Sequence, residues 1–512
     1  MPVVDRVSCG LAALLLATMA ALQVSSVMQE SQTYDEAVYI SAGYSYWKTG
    51  DFRLNPEHPP LAKLLVSAPL LFSGVTLPLR DPAWQKADQY AFGAQFLYHN
   101  RISADAILLR ARCVTIVLTV LFGLAVFFWV KRRAGPVAAL AALGLFAFDP
   151  NLLAHGRYAT NDLALAFFFF AGVALWNRAL RRGELADYAV AGVAIGAAMA
   201  TKLSGVAVIP VAVLLCFGRP LNAGALARGA LVAGAAALAF VALLYHGQLH
   251  YYRDVVTDSL GHASGGQLAY LFGSTFRRGR WYFYPAVFAV KTPVGVLLLV
   301  AVVAAAIVVR RSLARGSHVV LIAGAVYGAA CLASPIDLGV RILLPVYVCL
   351  YVVLALNLPS SRWRWPAVVA LAAVVAESAM IYPNYLAFFN VIAGGPARGP
   401  RYLLDSNIDW GQDTKRLAAF LRANRIPNAC TAYFGMAYPF YYGIVQRPWV
   451  GYVNAGNRES LNCVLAVSVT WLYGGPAIAG DTWGWLRAQR PDARVGYSIY
   501  VYDFRKHPTL NR

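Results

Sequence analysis

Long apolar runs recur along the first three quarters of the chain, separated by short polar loops. Most approach the roughly 20 residues that a helix needs to cross a bilayer. We predict eleven membrane-spanning helices, at 7–28, 107–130, 136–153, 162–180, 186–200, 203–217, 226–245, 293–310, 318–334, 341–357 and 366–383. The pattern therefore predicts an all-α polytopic membrane protein.

Basic residues lie in alternate loops between these runs. The basic loops are at 131–133, 178–182, 219–228, 310–315 and 362–364. Because short cytoplasmic loops are enriched in Lys and Arg, we expect these on the cytoplasmic side. Three segments then lie outside the membrane: residues 30–106, residues 246–292 and everything after about residue 384.

The segment 186–217 decides the topology, because basic loops both precede and follow it. An even number of crossings must separate two cytoplasmic loops, so we expect two short helices meeting at a break over residues 201–205. Such a break is tolerated at membrane depth where it lines a cavity or is buried in protein. The alternative is one long tilted helix with a snorkelling Lys202, which would invert every later loop.

The tail after residue 383 differs in character. Its helical pattern covers residues 412–425, and residues 483–490 are a candidate second helix. The β-rich runs are 431–434, 464–469 and 495–502. We therefore expect a transmembrane domain over residues 1–383 and a small α/β extracytoplasmic domain over residues 384–512.

Composition supports the membrane class and weakens one competing function. The 512 residues are 59% hydrophobic and only 13% charged, whereas soluble domains carry about 25% charged residues. The net charge of +20 could suggest a nucleic-acid partner. Since much of it lies in short loops between spans, where it sets topology, we expect no nucleic acid.

Two of the seven cysteines, Cys430 and Cys463, lie in the tail and each opens a β-rich run at matching register. If those strands are neighbours, a disulfide is geometrically plausible in an oxidising compartment. Two reduced core cysteines are equally compatible with the pattern.

Candidate chemistry begins in the first long loop. Asp35 and Glu36 form an adjacent acidic pair, and Glu57 and His58 are followed by two prolines that stiffen the chain. Taken alone, the acidic pair also fits a solvated helix start favoured by the helix dipole. Together, the two clusters could converge.

With these motifs, the chain resembles the polyprenyl-phosphate-dependent glycosyltransferases related to protein O-mannosyltransferases and to the aminoarabinose transferase that modifies lipid A. The motifs that carry the resemblance lie in order over about residues 33–413. They are D-E at 35–36, G-D-x-x-x-N-P-E-H-P-P-L-x-K at 50–63, H-G-R-Y-A-T-N-D at 155–162, T-K-L-S-G at 201–205, G-R-W-Y-F-Y at 279–284 with K-T-P at 291–293, R-I-L-L-P at 341–345, and Y-P-N-Y-L at 382–386 through D-S-N-I-D-W-G-Q-D at 405–413.

The resemblance implies the GT-C glycosyltransferase fold, a bacterial cytoplasmic membrane and an active site on its outer side. It implies transfer of a sugar, with mannose as the family default, to a hydroxyl on a protein, lipid or glycan. Asp35 is the expected general base, in a group of catalytic candidates with Glu36 and Glu57. The expected donor-phosphate ligands are His58, Lys202 and Arg341. The expected substrate-binding residues are Arg157, Asp162, Arg280 and Asp409.

No metal site is expected. Residues 405–413 match the first positions of a calcium loop, but Trp410 stands at the glycine position and Arg416 where the bidentate Glu is required. No zinc spacing occurs either. The expected partners are the lipid-linked sugar donor, its acceptor and membrane lipids. We assign no cofactor beyond the donor. The competing functions are a transporter, which would need inverted repeats and short outer loops, and a non-catalytic membrane assembly protein.

Overall fold

The computed structural model describes residues 3–358, 364–447, 463–474 and 483–506. Helices dominate as far as Ile381, and a small sheet lies in the tail. In chain order the helices up to that point are α1 (Val3–Val27), α2 (Glu36–Thr49), α3 (Leu61–Ser67), α4 (Pro82–Gln85), α5 (Gln89–Tyr98), α6 (Ala104–Phe148), α7 (Pro150–His155), α8 (Asp162–Arg182), α9 (Leu185–Met199), α10 (Val208–Leu214), α11 (Ala223–Leu244), α12 (His250–Gly265), α13 (Phe283–Lys291), α14 (Val294–Arg310), α15 (Ser317–Leu332), α16 (Leu344–Leu356) and α17 (Arg364–Ile381).

Each of the eleven predicted spans overlaps one or more of these helices. Among the described residues, α1, α6, α8 and α11 are long and apolar enough to cross a membrane, and α13 with α14 forms a pair bent by 105°. The remaining apolar helices are shorter. The expected all-α polytopic class is thus confirmed.

Helix α6 contains two predicted spans in one 45-residue run. The run turns at Gly135, whose φ of 80° and ψ of −178° are not helical. Glycine adopts this conformation without a Cβ penalty, and Pro136 can start the following helix because a first-turn residue needs no intrahelical N–H partner. The basic loop predicted at 131–133 lies just before this turn.

The predicted break between α9 and α10 is present. Helix α9 ends at Met199, Lys202 has an extended backbone, and a short 3₁₀ segment, Leu203–Ala207, leads into α10. One continuous tilted helix is therefore not the structure of this segment. Because the helix is interrupted there, the Lys202 side chain reaches Asp162 at the start of α8.

The second long loop contains α12, α13 and a small antiparallel hairpin of β1 (Ala269–Leu271) and β2 (Ser274–Phe276). The sequence does not predict this hairpin. Each strand has only three residues, so the alternation of polar and apolar positions is too short to be recognised.

Among its described residues the tail forms a five-stranded sheet. The three predicted β-rich runs overlap strands of this sheet, whereas the short strand at Val445–Arg447 was not predicted. The described elements of the tail are α18 (Thr414–Ala423), β3 (Asn428–Ala432), β4 (Val445–Arg447), β5 (Val464–Ser468), α19 (Val469–Gly474), α20 (Gly484–Arg487), β6 (Ala493–Val495) and β7 (Ile499–Asp503). The strand order is β4-β3-β5-β7-β6. Strand β3 runs parallel to β4 and β5, whereas β7 runs antiparallel to β5 and β6.

Cys430 and Cys463 form a disulfide, with their Cα atoms 6.2 Å apart. The parallel pairing of β3 and β5 brings them together, because it aligns Cys430 with Leu465, close to Cys463. Of the two alternatives left open by the sequence, the structure contains the bridged one.

The tail is joined to the first long loop by backbone hydrogen bonds. The N–H of Ser31 donates to the carbonyl of Gln412 at 2.9 Å, and the N–H of Tyr34 donates to the carbonyl of Trp410 at 2.8 Å. A tail loop, residues 405–413, therefore lies directly against the start of the acidic motif at residues 35–36.

Candidate active site

Asp35 stands at the N-terminus of α2, but its side chain does not cap that helix. Instead, a carboxylate oxygen lies 3.2 Å from a guanidinium nitrogen of Arg341. The Asp35 side chain remains 26% exposed, so it is paired and still accessible. A simple solvated helix start does not account for this pairing.

Four charged groups from four segments form a continuous chain. Arg341, in the 3₁₀ segment before α16, also lies 3.5 Å from Asp162 at the start of α8. The other carboxylate oxygen of Asp162 accepts a hydrogen bond from Lys202 at 2.6 Å. The broken helix, the start of α8, the R-x-L-L-P motif and the first loop thus converge at one site.

Polar atoms at this site lack hydrogen-bond partners among the described residues. They include Nε of Arg341 and both ring nitrogens of the buried His155. Buried polar groups are normally satisfied by protein, water or ligand. Their concentration beside the charged chain favours a site that binds a polar ligand.

Two acids near Arg341, Asp35 and Asp405, have raised pKa values. Burial raises the pKa of Asp35 above its usual range, while Arg341 opposes the shift. Burial likewise raises the pKa of Asp405, in the tail loop, to about 6, again against the effect of Arg341. A carboxylate with a raised pKa is a stronger base once ionised, which suits proton abstraction near neutral pH.

Glu36 faces a different environment from its neighbour. Its two carboxylate oxygens accept hydrogen bonds from the buried Arg112 at 2.8 and 2.7 Å, and from the N–H groups of Thr33 and Ala159. Burial would raise the pKa of Glu36, but Arg112 and these bonds outweigh it and lower the pKa. The acceptor capacity of Glu36 is therefore taken up by the protein itself.

Glu57 and His58 lie in a loop held by Lys63. The buried amine of Lys63 donates to the carbonyls of Asn55 and His58 at 2.8 and 2.7 Å. Glu57 accepts a hydrogen bond from Gln89 at 3.0 Å. Burial, followed by the charges of Lys202 and Lys63, lowers the pKa of His58 well below its usual range. His58 is thus a neutral imidazole close to the charged chain.

The tail loop supplies an aromatic partner for Arg341. The guanidinium carbon of Arg341 lies 4.5 Å from the ring centroid of the buried Trp410. Asn407 in the same loop accepts a hydrogen bond from the N–H of Val340 at 3.0 Å and donates to the carbonyl of Leu338 at 3.3 Å. A Cβ on the intervening Gly339 would clash with the Asn407 side chain, so this approach requires glycine.

Three predicted substrate-binding residues contact groups outside the charged chain. Arg157 is buried in an ion pair with Glu30 at 2.8 Å. The exposed Arg280 donates to the hydroxyl of Tyr282 at 2.7 Å. Asp409 is buried, accepts a hydrogen bond from the N–H of Thr470 at 3.1 Å, and has a pKa raised by burial to about 7.

Some residues of the site cannot be recognised from the sequence alone. Asp405 and Trp410 belong to the motif at 405–413, but nothing in their spacing shows that they reach Arg341. Arg112, the partner of Glu36, lies within a predicted span. The charge of Arg112 is the sequence signal that marks it, since an arginine inside an apolar helix needs a buried partner.

Comparisons with known proteins give one family match and several similar structures. Residues 11–221 match the family described as dolichyl-phosphate-mannose-protein mannosyltransferase. No curated protein matches the chain significantly in sequence.

Several solved structures are similar. ArnT from Cupriavidus metallidurans in the apo state is 14% identical, with a TM-score of 0.53 over 97% of this chain and 98% of that one. The same protein bound to undecaprenyl phosphate gives 13% identity and a TM-score of 0.49, over 96% and 97%. The S. cerevisiae Pmt1-Pmt2 complex bound to its sugar donor gives 19% identity and a TM-score of 0.35, over 51% and 35%.

The apo ArnT comparison shows a shared fold along almost the entire chain. The family match covers the segment that contains the acidic pair, the loop around Glu57 and the broken helix at Lys202. Together these findings support the expected resemblance: residues 11–221 match a family of mannosyltransferases, and the chain shares the GT-C fold of ArnT along almost its whole length.

Proposed function

We propose that the chain transfers a sugar from a polyprenyl-phosphate donor to a hydroxyl acceptor, with Asp35 as general base. The observation that carries the proposal is the chain of charges Asp35–Arg341–Asp162–Lys202. It brings together a partly accessible carboxylate, which the acceptor side of the reaction needs, and two cations, which the donor side needs.

On the acceptor side, a hydroxyl group is a poor nucleophile until its proton is removed. Asp35 takes that proton as the acceptor oxygen attacks the anomeric carbon. The bond between the anomeric carbon and the phosphate oxygen breaks in the same displacement, which inverts the anomeric configuration. The raised pKa of Asp35 makes it a better base than an ordinary aspartate.

On the donor side, the leaving group is a phosphate monoester, which needs charge neutralisation more than a proton. Arg341 and Lys202 supply it. In the structure each cation faces Asp162, so the formal charges of the four groups cancel. Protonation of Asp35 during the reaction leaves one net positive charge, which favours the phosphate as its negative charge develops.

The neutral His58, next to Lys202, is proposed as a hydrogen-bonding ligand of the donor phosphate. Glu57 and Glu36 are given supporting roles: Glu57 orients substrate, and Glu36 fixes the start of α2 through Arg112. Arg157, Arg280 and Asp409 stay predicted substrate-binding residues. We assign the outer face of a bacterial cytoplasmic membrane, since the basic loops predict the site outside, and mannose as the default sugar.

The test is a transfer assay with defined polyprenyl-phosphate sugars, comparing the wild type with Asp35→Asn. We expect the variant to lose about 10²- to 10⁴-fold in kcat, the usual contribution of a general base. Because the base must be ionised, the wild-type rate should fall as the pH drops through the raised pKa of Asp35.

Asp81→Asn is the matched control. It makes the same chemical change in the same loop, where Asp81 only caps a helix, and Asn caps equally well. Wild-type transfer by Asp35→Asn would show that Asp35 is not the base.

A further inference from the structure

Helix α13 lies across the outer end of a membrane span. It is bent by 105° from α14, the span that follows it, and the far end of α14 leads into the basic loop at 310–315. Because that loop is expected to be cytoplasmic, α14 begins at the outer surface and α13 runs along this surface. The one charged residue of α13, Lys291, is buried. The exposed side of α13 is therefore apolar, as suits a helix at the boundary between lipid and water.

The segment just before α13, residues 277–280, is held at the outer end of a second span. The N–H of Gly279 donates to the carbonyl of Pro335 at 2.9 Å. The N–H of Arg280 donates to a carboxylate oxygen of Asp337 at 2.8 Å. Both acceptors lie in the loop that directly follows α15. The segment is therefore fixed close to the membrane surface by two spans, α14 through α13 and α15 through this loop.

The hairpin of β1 and β2 extends the same surface. The N–H of Phe272, at the turn of the hairpin, donates to the carbonyl of Tyr402 at 3.1 Å, and the centroids of the two rings are 5.8 Å apart. Shortly before Tyr402 in the tail, the N–H of Asn390 donates to the carbonyl of Val290 in α13 at 3.0 Å. The hairpin, this part of the tail and α13 therefore form one contiguous surface.

Large apolar side chains on this surface are exposed. Trp281 is 71% exposed and Ile392 is 73% exposed, and more than half of Phe272 and of Val391 is exposed as well. A group of exposed apolar side chains marks a surface that contacts a partner or a membrane. Because aromatic rings favour the boundary between headgroups and hydrocarbon, and this surface continues from two spans, we assign the contact to lipid.

Two arginines of the segment 277–280 add positive charge to the surface. Arg277 and Arg278 are exposed, and among the described residues their side chains form no ion pair or hydrogen bond. Their position in an outer loop is also unusual, because basic residues concentrate in cytoplasmic loops. Cations beside a membrane attract anionic headgroups, and a guanidinium group donates charge-assisted hydrogen bonds to phosphate oxygens. The two arginines are therefore suited to phosphate groups of the lipid.

We propose that Arg277 and Arg278 bind the phosphate groups of anionic phospholipids in the outer leaflet, and that Trp281 and Phe272 insert between those lipids. Three observations carry the proposal: the bend between α13 and α14, the exposed apolar side chains and the two unpaired arginines. The lipids would hold the second long loop on the membrane surface. This contact is separate from the proposed sugar transfer and does not depend on it.

The test is photo-crosslinking of the full-length protein in nanodiscs made of equal parts of phosphatidylglycerol and phosphatidylcholine. A photo-reactive phenylalanine analogue replaces Trp281, and mass spectrometry identifies the lipid adducts. We expect phosphatidylglycerol adducts to exceed phosphatidylcholine adducts about 5- to 25-fold, because each basic residue near a membrane surface contributes roughly fivefold. When Arg277→Gln and Arg278→Gln are added, this excess should disappear, while adducts with both lipids still form.

Arg80→Gln with Arg425→Gln is the matched control, because both are exposed arginines in other outer segments. It removes the same charge and should leave the excess unchanged. Equal adducts with the two lipids before any arginine is replaced, no lipid adduct at all, or the same loss in the control would overturn the proposal. If added polyprenyl phosphate displaces phosphatidylglycerol from the adducts, the surface binds the donor lipid, and the assignment to phospholipids is wrong.

Discussion

At the scale of single residues, the adjacent acids Asp35 and Glu36 have separate roles. Their sequence position suggests a pair, but the start of α2 directs them to different partners. Asp35 meets Arg341 in a partly open site, and Glu36 meets Arg112 in a closed one. The local pattern could predict that this motif matters, but not which carboxylate is accessible, since Arg112 is 76 residues away.

We therefore predict that substitutions of Asp35 and Glu36 have different effects on stability and activity. Glu36→Gln leaves the buried Arg112 without its charged partner, and breaking a buried ion pair costs about 3–5 kcal/mol. We expect a clearly lower unfolding temperature in detergent. Asp35→Asn should leave that temperature almost unchanged, because its side chain is partly exposed. A stable Glu36→Gln variant with full loss of transfer would contradict the structural role given to Glu36.

At the scale of elements, the break after α9 and the tail loop are the two features that assemble the site. The break is predictable from the sequence, because Lys202 interrupts an apolar run between two basic loops. The position of the tail loop is not, because it depends on hydrogen bonds between residues 31–34 and 410–412. No periodicity in either segment encodes a contact over that separation.

The tail loop should act on the reaction through Arg341. We predict that Trp410→Leu lowers kcat roughly tenfold, as expected for the loss of a cation–π interaction worth about 1–2 kcal/mol. Trp410→Phe keeps an aromatic face and should restore most of the rate. The measurement is kcat and KM for donor and acceptor, alongside the unfolding temperature. If Phe and Leu reduce kcat equally, the ring face is not what positions Arg341.

At the scale of the whole molecule, hydropathy predicted the helical membrane part well, and the motifs predicted both the family that residues 11–221 match and the fold shared with ArnT. The sequence also identified the four charges that converge, since each lies in a quoted motif. The cavity of about 300 Å³ between the two long loops was not predictable, because its walls are about 200 residues apart and are joined by contacts such as Ser259 to Glu57. The hairpin of β1 and β2 was missed because its strands are too short.

The proposed reaction is a single displacement, in which Asp35 activates the acceptor and the phosphate leaves toward Arg341 and Lys202. The most direct measurement is the anomeric configuration of the transferred sugar, determined by NMR on the product made from a donor of known configuration. A single displacement predicts inversion. A product that retains the configuration of the donor would require two displacements and would contradict the proposed mechanism.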